Sequence, residues 1–179
     1  DSRAVTDGAR LGVLNLDAHF DLRAAPRPSS GTPFRQMAER EATLGRRLDY
    51  AVVGISQPGN TRALFDEAER LGVRYLLDDE CGVLSMPAVE RFVQDFLGGV
   101  DALYLTIDLD VLPAAVAPGV SAPAGLGVPL EVISRVCDIA AASGKLRLLD
   151  IAELNPSLDV DNRTARTAAR LIHRIVTRC

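Results

Sequence analysis

Five short, continuously apolar runs alternate along the chain with amphipathic helical patterns. The runs are residues 11–16, 50–55, 73–77, 102–107 and 146–151, and the helical patterns are 60–71, 87–96, 130–142 and 164–176. Strands that are covered on both faces are apolar throughout, whereas half-exposed strands alternate. The order therefore predicts an α/β fold with three αβα layers and an open, mainly parallel sheet joined by right-handed crossovers.

The helix ends carry their own signals. Gly72 follows the pattern 60–71 where a left-handed C-terminal cap would lie, and Ser85 precedes the pattern 87–96 as an N-cap. Neither an internal repeat nor an interdomain linker interrupts the alternation, so we expect residues 1–179 to form a single domain.

Charge and cysteine usage limit the possible partners and compartment. The net charge is -4 and aromatic residues make up 4%, which argues against nucleic acid or an anionic membrane as a partner. The three cysteines form no CxxC pair, and no apolar run approaches the roughly 20 residues that span a bilayer. We therefore expect a cytoplasmic protein with reduced thiols.

The first cluster of chemically active residues is Asp17, His19 and Asp21, directly after the first apolar run. If the extended backbone continued, these alternate side chains would share one direction. Carboxylates with one imidazole suit a divalent ion such as Mn²⁺. The alternative is a polar strand end that closes in an Asx-type turn.

The second cluster is Asp108 and Asp110, at the end of the fourth run. Two carboxylates on one side of a partly buried cleft repel each other unless a cation or a proton lies between them. Both clusters precede loops rich in Pro, Gly and Ser, residues 24–33 and 113–129, at the sheet edge where open α/β folds bind ligands. Together they predict a two-metal centre.

Glu153 follows the last run and is expected at the same edge. A carboxylate there could pair with a cationic amidinium or guanidinium group, and the alternative is a solvated loop acid.

Three ordered motifs carry a family resemblance. DAHFD, TIDLDV with the following APGVSAPAG loop, and AELNP resemble the ureohydrolases, the family of arginase, agmatinase and formimidoylglutamase, over essentially the whole chain. The stretches DAHFDLR and SSGTPFRQ are most similar to the formimidoylglutamase branch. The resemblance implies an arginase-like fold, two Mn²⁺ ions, a small amidine substrate and assembly into trimers or hexamers.

The resemblance also implies residue roles. Asp17 and Asp108 would bridge the two ions, His19 and Asp110 would complete one shell, and Asp21 would bind the other ion. Asp21 would also relay a proton, and Glu153 would face the planar nitrogen group of the substrate. The resemblance places the substrate-binding residues at Arg23, whose planar fork suits a carboxylate, and at Ser29, Ser30 and Gly31 on the next loop.

Two departures from the family pattern accompany this resemblance. The family has a histidine ligand in a Gly-rich motif well upstream of DAHxD, but no histidine precedes Asp17 here, and the other histidine, His173, belongs to the last helical pattern. We expect that roughly the first third of the protein is missing, so that residues 1–179 form the C-terminal two thirds of the catalytic domain. The loop histidine of arginase is absent from SSGTPF, which argues against arginase activity.

The expected reaction is hydrolysis of N-formimidoyl-L-glutamate to glutamate and formamide, a step of histidine degradation. Three alternatives stay open. The first is an agmatinase or guanidino-acid hydrolase that releases urea, and the second is an inactive fragment lacking one metal ligand. The third is an aspartyl-phosphate phosphatase with Asp108 as nucleophile, which would leave DAHFD without a role.

Overall fold

The structure is a computed structural model and describes residues 8–179. Residues 1–7 of the predicted domain lie outside the described residues. The five strands are β1 Leu11–Leu16, β2 Asp49–Ile55, β3 Arg74–Leu77, β4 Ala102–Asp108 and β5 Leu146–Ala152. The five α-helices are α1 Pro33–Thr43, α2 Arg62–Leu71, α3 Met86–Gly98, α4 Leu130–Ala142 and α5 Arg163–Val176.

All five strands join one sheet in the order β3-β2-β1-β4-β5, and every pairing is parallel. The predicted open parallel sheet is thus confirmed, with strand limits within two residues of those expected. The central strand β1 pairs with β2 on one side and β4 on the other, and Leu16 lies opposite Ile107. The carboxyl ends of β1 and β4 are therefore neighbours.

Helices pack on both faces of the sheet. Phe34 of α1 and Ala68 of α2 pack with Val13 and Val52 on one face. The larger apolar cluster on the opposite face combines α3, α4 and α5 with the other side of β1 and β4, including Leu14 and Leu105. In the described part of the chain, no helix is both long and apolar enough to cross a membrane.

The expectation that helices would cover both faces of every strand is wrong for β5. Leu148 is 47% exposed, and Asp150 and Ala152 on the same side of β5 are exposed as well. The reason is that α1 and α2 pack over β1 to β3, so this face of β5 has no helix above it among residues 8–179.

Of the two predictions about helix ends, the cap at Gly72 is confirmed, whereas Ser85 does not cap α3 with its side chain. Gly72 caps α2 with φ 66°, and its amide donates to Ala68 O and Glu69 O, as predicted. Ser85 is the residue before α3, but its side chain makes no capping hydrogen bond, because it closes the 3₁₀ turn Val83–Ser85. Helix α1, which the periodicity did not predict, follows the first loop.

Candidate metal centre

The predicted ligand clusters meet at the carboxyl edge of the sheet. Asp17 follows β1 directly, while Asp108 ends β4 and Asp110 lies in the 3₁₀ turn Leu109–Val111 after it. The two loops are hydrogen-bonded to each other, since the Ala18 amide donates to Asp110 Oδ1 at 3.3 Å. Neighbouring parallel strands thus bring together residues that lie more than 90 positions apart.

Asp17, His19 and Asp110 form a compact group whose candidate ligand atoms all lie within 4.8 Å of one another. His19 Nδ1 is 3.0 Å from Asp110 Oδ2 and 3.6 Å from Asp17 Oδ1. Both aspartates are almost fully buried, and His19 is partly exposed. An imidazole nitrogen and two buried carboxylates that converge in this way are a donor set suited to a divalent cation.

The backbone brings these side chains together by turns rather than by a continued strand. The His19 amide donates to Asp17 Oδ1 at 2.7 Å, which is the Asx-type turn considered as the alternative. The Asp110 amide likewise donates to Asp108 Oδ1 at 3.1 Å. The extended geometry considered for the first cluster is therefore wrong, and the turn places His19 Nδ1 at 3.6 Å from Asp17 Oδ1.

The charge balance of this group favours a cation. The Asp110 carboxylate, 3.0 Å from His19 Nδ1, and to a lesser degree the Asp17 carboxylate raise the pKa of His19 to about 10. His19 therefore carries a proton between the two carboxylates in the metal-free chain. The same atoms could hold a divalent ion in place of that proton.

The remaining predicted ligands share this electrostatic environment. Burial, followed by repulsion from Asp17, raises the pKa of Asp21 to about 8 and that of Asp108 to about 9. Burial also raises the pKa of Asp17 to about 6. The carboxyl groups of Asp21 and Asp108, with pKa values above 7, hold protons near neutral pH unless a cation replaces them, so the residues fit a metal centre. Asp21 and Asp108 lie outside the compact group of three and stay predicted ligands.

Two acidic residues at this edge have a left-handed backbone. Asp21 has φ 53° and Glu153 has φ 67°. Such conformations are costly for residues other than glycine and are concentrated at functional sites. Glu153 Oε2 accepts a hydrogen bond from the Ser121 amide at 2.9 Å, which joins the end of β5 to the loop after β4.

The predicted substrate residues lie on the loop between β1 and α1. The Arg23 amide donates to Gly31 O at 2.9 Å and closes this loop at its base. A Cβ on Gly31 would lie 2.9 Å from Arg23 Cδ, so the missing side chain of Gly31 makes room for the arginine. Arg23, Ser29 and Ser30 are exposed, whereas Gly31 is buried. The loop brings Arg23 and Gly31 together, and binding of substrate by these residues stays a prediction.

Three residues that were not predicted support the loop that carries Asp17 and His19. Asn60 Nδ2 donates to Ala18 O and Ser56 O at 2.8 Å each, and its Oδ1 accepts from the Phe20 amide at 3.1 Å. Asn15 and Tyr50 contact the same loop from the sheet. The available signal for Asn15 was a polar residue within the apolar run LGVLNL, two positions before Asp17.

His173 is exposed on α5, as expected of a helix-surface residue. Within residues 8–179 it belongs to no cluster of three or more candidate ligands. Among residues 8–179, His19 is thus the histidine of the candidate metal centre.

Comparison with known proteins gives a consistent result. The model of the arginase family matches residues 2–177. Formimidoylglutamase from Rhodococcus opacus strain B4 is 69% identical over 173 residues, which cover 97% of this chain and 54% of that protein. Formimidoylglutamase from Ralstonia nicotianae is 64% identical and is matched over 93% of this chain and 51% of its own length. The chain thus spans about half the length of the curated relatives it matches.

Solved structures have the same fold. Formimidoylglutamase from Bacillus subtilis superposes with a TM-score of 0.83 at 24% identity, over 93% of this chain and 52% of that one. Formiminoglutamase from Trypanosoma cruzi, solved with Mn²⁺, gives a TM-score of 0.83 at 26% identity, over 98% of this chain and 58% of that one. With the family model matching nearly every residue, the chain belongs to the arginase family.

Proposed function

We propose that this chain carries the catalytic centre of a manganese-dependent formimidoylglutamase. The reaction is hydrolysis of N-formimidoyl-L-glutamate to glutamate and formamide, as in histidine degradation. The observation that carries the proposal is the convergence of Asp17, His19 and Asp110 at the carboxyl edge of the sheet, with both aspartates buried. The 69% identity to a formimidoylglutamase supports this substrate, and the Mn²⁺ in a related structure supports the metal.

The metal would be held by Asp17, His19 and Asp110, with Asp108 and Asp21 completing a two-ion centre. When bound, Mn²⁺ lowers the pKa of a coordinated water so that hydroxide is available near neutral pH. The burial of Asp17 and Asp110 keeps these donors in place and limits their exposure to water. Their mutual repulsion in the metal-free chain is the energetic reason for a cation to bind here.

The chain's own residues would orient the substrate and move protons. Glu153, whose Oε2 is already bound to the Ser121 amide, would accept the substrate N–H groups through Oε1. Arg23 would pair with a substrate carboxylate. Water adds to the formimidoyl carbon, and Asp21 accepts the released proton and delivers it to the glutamate nitrogen. The bond between that nitrogen and the formimidoyl carbon then breaks with its electron pair on the nitrogen, and the hydroxyl proton passes to the departing amine, which leaves glutamate and formamide.

The proposal is tested by two measurements on the same Mn²⁺-loaded sample. Elemental analysis counts the ions per chain, and separate assays record formamide from N-formimidoyl-L-glutamate and urea from agmatine and guanidino acids. Formamide release supports the proposal. Urea release alone would assign the chain to the agmatinase or guanidino-acid group.

A matched pair of variants makes the test specific. Asp110→Asn alters a buried carboxylate of the proposed site, whereas Asp101→Asn alters an exposed carboxylate that, within residues 8–179, accepts a hydrogen bond from the Arg10 amide. We expect the first to lose bound Mn²⁺ and turnover and the second to keep both. No Mn²⁺ and no turnover in the parent chain would identify an inactive fragment. Mg²⁺-dependent phosphate release would favour the phosphatase alternative.

Two further properties belong to the same proposal. The three cysteines are free, with Cys81 and Cys137 buried, which supports a reducing, cytoplasmic location. Assembly into trimers or hexamers follows from the family resemblance alone. Light scattering on the purified chain would measure its oligomeric state.

A further inference from the structure

A short chain of hydrogen bonds links the sheet to the Asp17 carboxylate. Asn15 is on β1 and lies two residues before Asp17, which follows the strand directly, so both side chains are on the same face. Asn15 Nδ2 donates to Asp17 Oδ2 at 2.8 Å and to the Tyr50 hydroxyl oxygen at 3.1 Å. Asn15 is 1% exposed and Tyr50 is 4% exposed, so water does not compete for these bonds.

Tyr50 determines the direction of each hydrogen bond in this series. Its hydroxyl has one proton, which it donates to Phe20 O at 3.1 Å. The hydroxyl oxygen must therefore accept from Asn15, and this requires the amide NH₂ group to face both Tyr50 and Asp17. With the amide reversed, Asn15 Oδ1 would face the Asp17 carboxylate as a second acceptor.

This orientation leaves a buried polar atom without a partner. Asn15 Oδ1 is the one buried side-chain nitrogen or oxygen in residues 8–179 that lacks a hydrogen bond. Buried unpartnered acceptors are costly and rare, and they call for a compensating role. Here both N–H groups of the Asn15 amide donate, one to Asp17 and the other to Tyr50. The bond to Tyr50 fixes the orientation of the amide, and the other bond holds the Asp17 carboxylate.

We propose that Asn15 and Tyr50 are positioning residues that orient the Asp17 carboxylate for metal binding. The proposal rests on the proposed function of Asp17 as a ligand. Groups that hydrogen-bond to metal ligands fix the ligand orientation, and their loss typically weakens metal binding about 10- to 100-fold. Tyr50 acts at a second point as well, because Phe20 O lies between the ligand His19 and the predicted ligand Asp21.

The alternative is that both residues only fill the core. Tyr50 stacks on Phe34 with ring centroids 4.7 Å apart, and Tyr50→Phe keeps this contact while removing the hydroxyl. Asn15→Leu keeps the number and branching of the side-chain heavy atoms and removes the amide. Tyr104→Phe is the matched control, because its hydroxyl donates to Asp150 on β5 and makes no hydrogen bond to Asn15 or Asp17 among residues 8–179. A packing role alone predicts the same metal affinity in all three variants.

The test measures Mn²⁺ dissociation constants by electron paramagnetic resonance of free Mn²⁺, with thermal unfolding recorded in EDTA. We expect binding to weaken about 10- to 100-fold in Asn15→Leu and about 10-fold in Tyr50→Phe, and to change less than about twofold in Tyr104→Phe. Because Tyr50 acts partly through Asn15, Tyr50→Phe should cost less affinity in an Asn15→Leu background. Parent-like affinity in both single variants would overturn the positioning role and leave the proposed function intact.

A metal-free measurement separates the two proposals. The His19 amide donates to Asp17 Oδ1, so its hydrogen-exchange rate reports how firmly the carboxylate is held. We expect faster exchange of this amide in Asn15→Leu and Tyr50→Phe than in the parent chain or Tyr104→Phe. If the parent chain bound no Mn²⁺, the proposed function would fail, and an unchanged exchange rate would overturn the positioning role independently.

Discussion

Asp108→Asn should stabilise the metal-free chain while it weakens metal binding. Burial, followed by repulsion from Asp17 and Asp110, raises the pKa of Asp108 to about 9, so ionisation of Asp108 is unfavourable in the folded chain. Asparagine has the same shape and no charge. Its side-chain oxygen can still accept from the Asp110 amide, which keeps the turn after β4.

The magnitude follows from the proton that Asp108 holds. At pH 7 an ordinary aspartate with a pKa of 3.8 is ionised, and keeping it protonated costs about 4 kcal/mol at about 1.4 kcal/mol per pH unit. Part of this cost is shared with Asp17 and Asp110, because loss of one charge relieves the others. We therefore expect Asp108→Asn to raise the free energy of unfolding by about 2 to 4 kcal/mol, or at least about 4 °C in Tm for a chain of this size.

The sign of the pH dependence provides a second check. Because the folded-state pKa is raised, the stability contributed by protonated Asp108 is fully present below about pH 4 and is lost as the pH rises towards about 9. The advantage of the variant should therefore be small near pH 4 and grow up to about pH 9. With Mn²⁺ at about 100 times its dissociation constant, the parent chain should gain about 2.7 kcal/mol, and the variant should gain less.

Thermal unfolding followed by circular dichroism, in EDTA and in Mn²⁺ across this pH range, measures these quantities. Asp66→Asn is the control, because its carboxylate is 61% exposed and pairs with Arg62 at the surface. We expect the control to change stability by less than about 1 kcal/mol. A metal-free Asp108→Asn chain that is less stable than the parent, or whose advantage is independent of pH, would refute the argument.

Three further substitutions test the frame around the site. Gly54→Ala should cost about 2 to 4 kcal/mol in urea unfolding, because Gly54 has φ 108° and a Cβ would lie 2.4 Å from a core valine; parent-like stability would contradict the close approach. Thr164→Val should cost about 1 to 3 kcal/mol, because Gly119 loses the buried hydroxyl that accepts from its amide at 2.8 Å, and Thr164→Ser should restore most of that loss. Asp138→Asn should cost about 0.5 to 1 kcal/mol at pH 7, since a hydrogen bond from a neighbouring arginine lowers the pKa of Asp138. That difference should disappear as the pH falls below about 4 and shrink in high salt, and a salt-independent difference would argue against an ion pair.

The strands were predictable because their signal is local. A strand in a parallel sheet is apolar along its whole length, so β1 and β4 stand out from the helices beside them. Helix α1 was missed because Phe34 is its one fully buried residue, and its remaining surface is mostly polar. The Arg35–Glu39 ion pair, four residues apart, was the available sign of a helix there.

The exposure of β5 could not be predicted from its composition. Apart from Arg147 and Asp150 the strand is apolar, yet Leu148 is 47% exposed. Whether a strand face is covered depends on which helices pack above it, and no residue within the strand reports this.

For the candidate site, the chemical types of the proposed ligands and their position at strand ends could be read from the amino-acid sequence. Asp17, His19 and Asp110 could be named because carboxylates and imidazole after apolar strands are unusual without a cation. The tertiary structure decided that β1 and β4 are neighbours, which places Asp110 beside His19. It also decided that Asn15 orients Asp17, because a hydrogen bond between buried side chains depends on distances and directions that only the packed sheet provides.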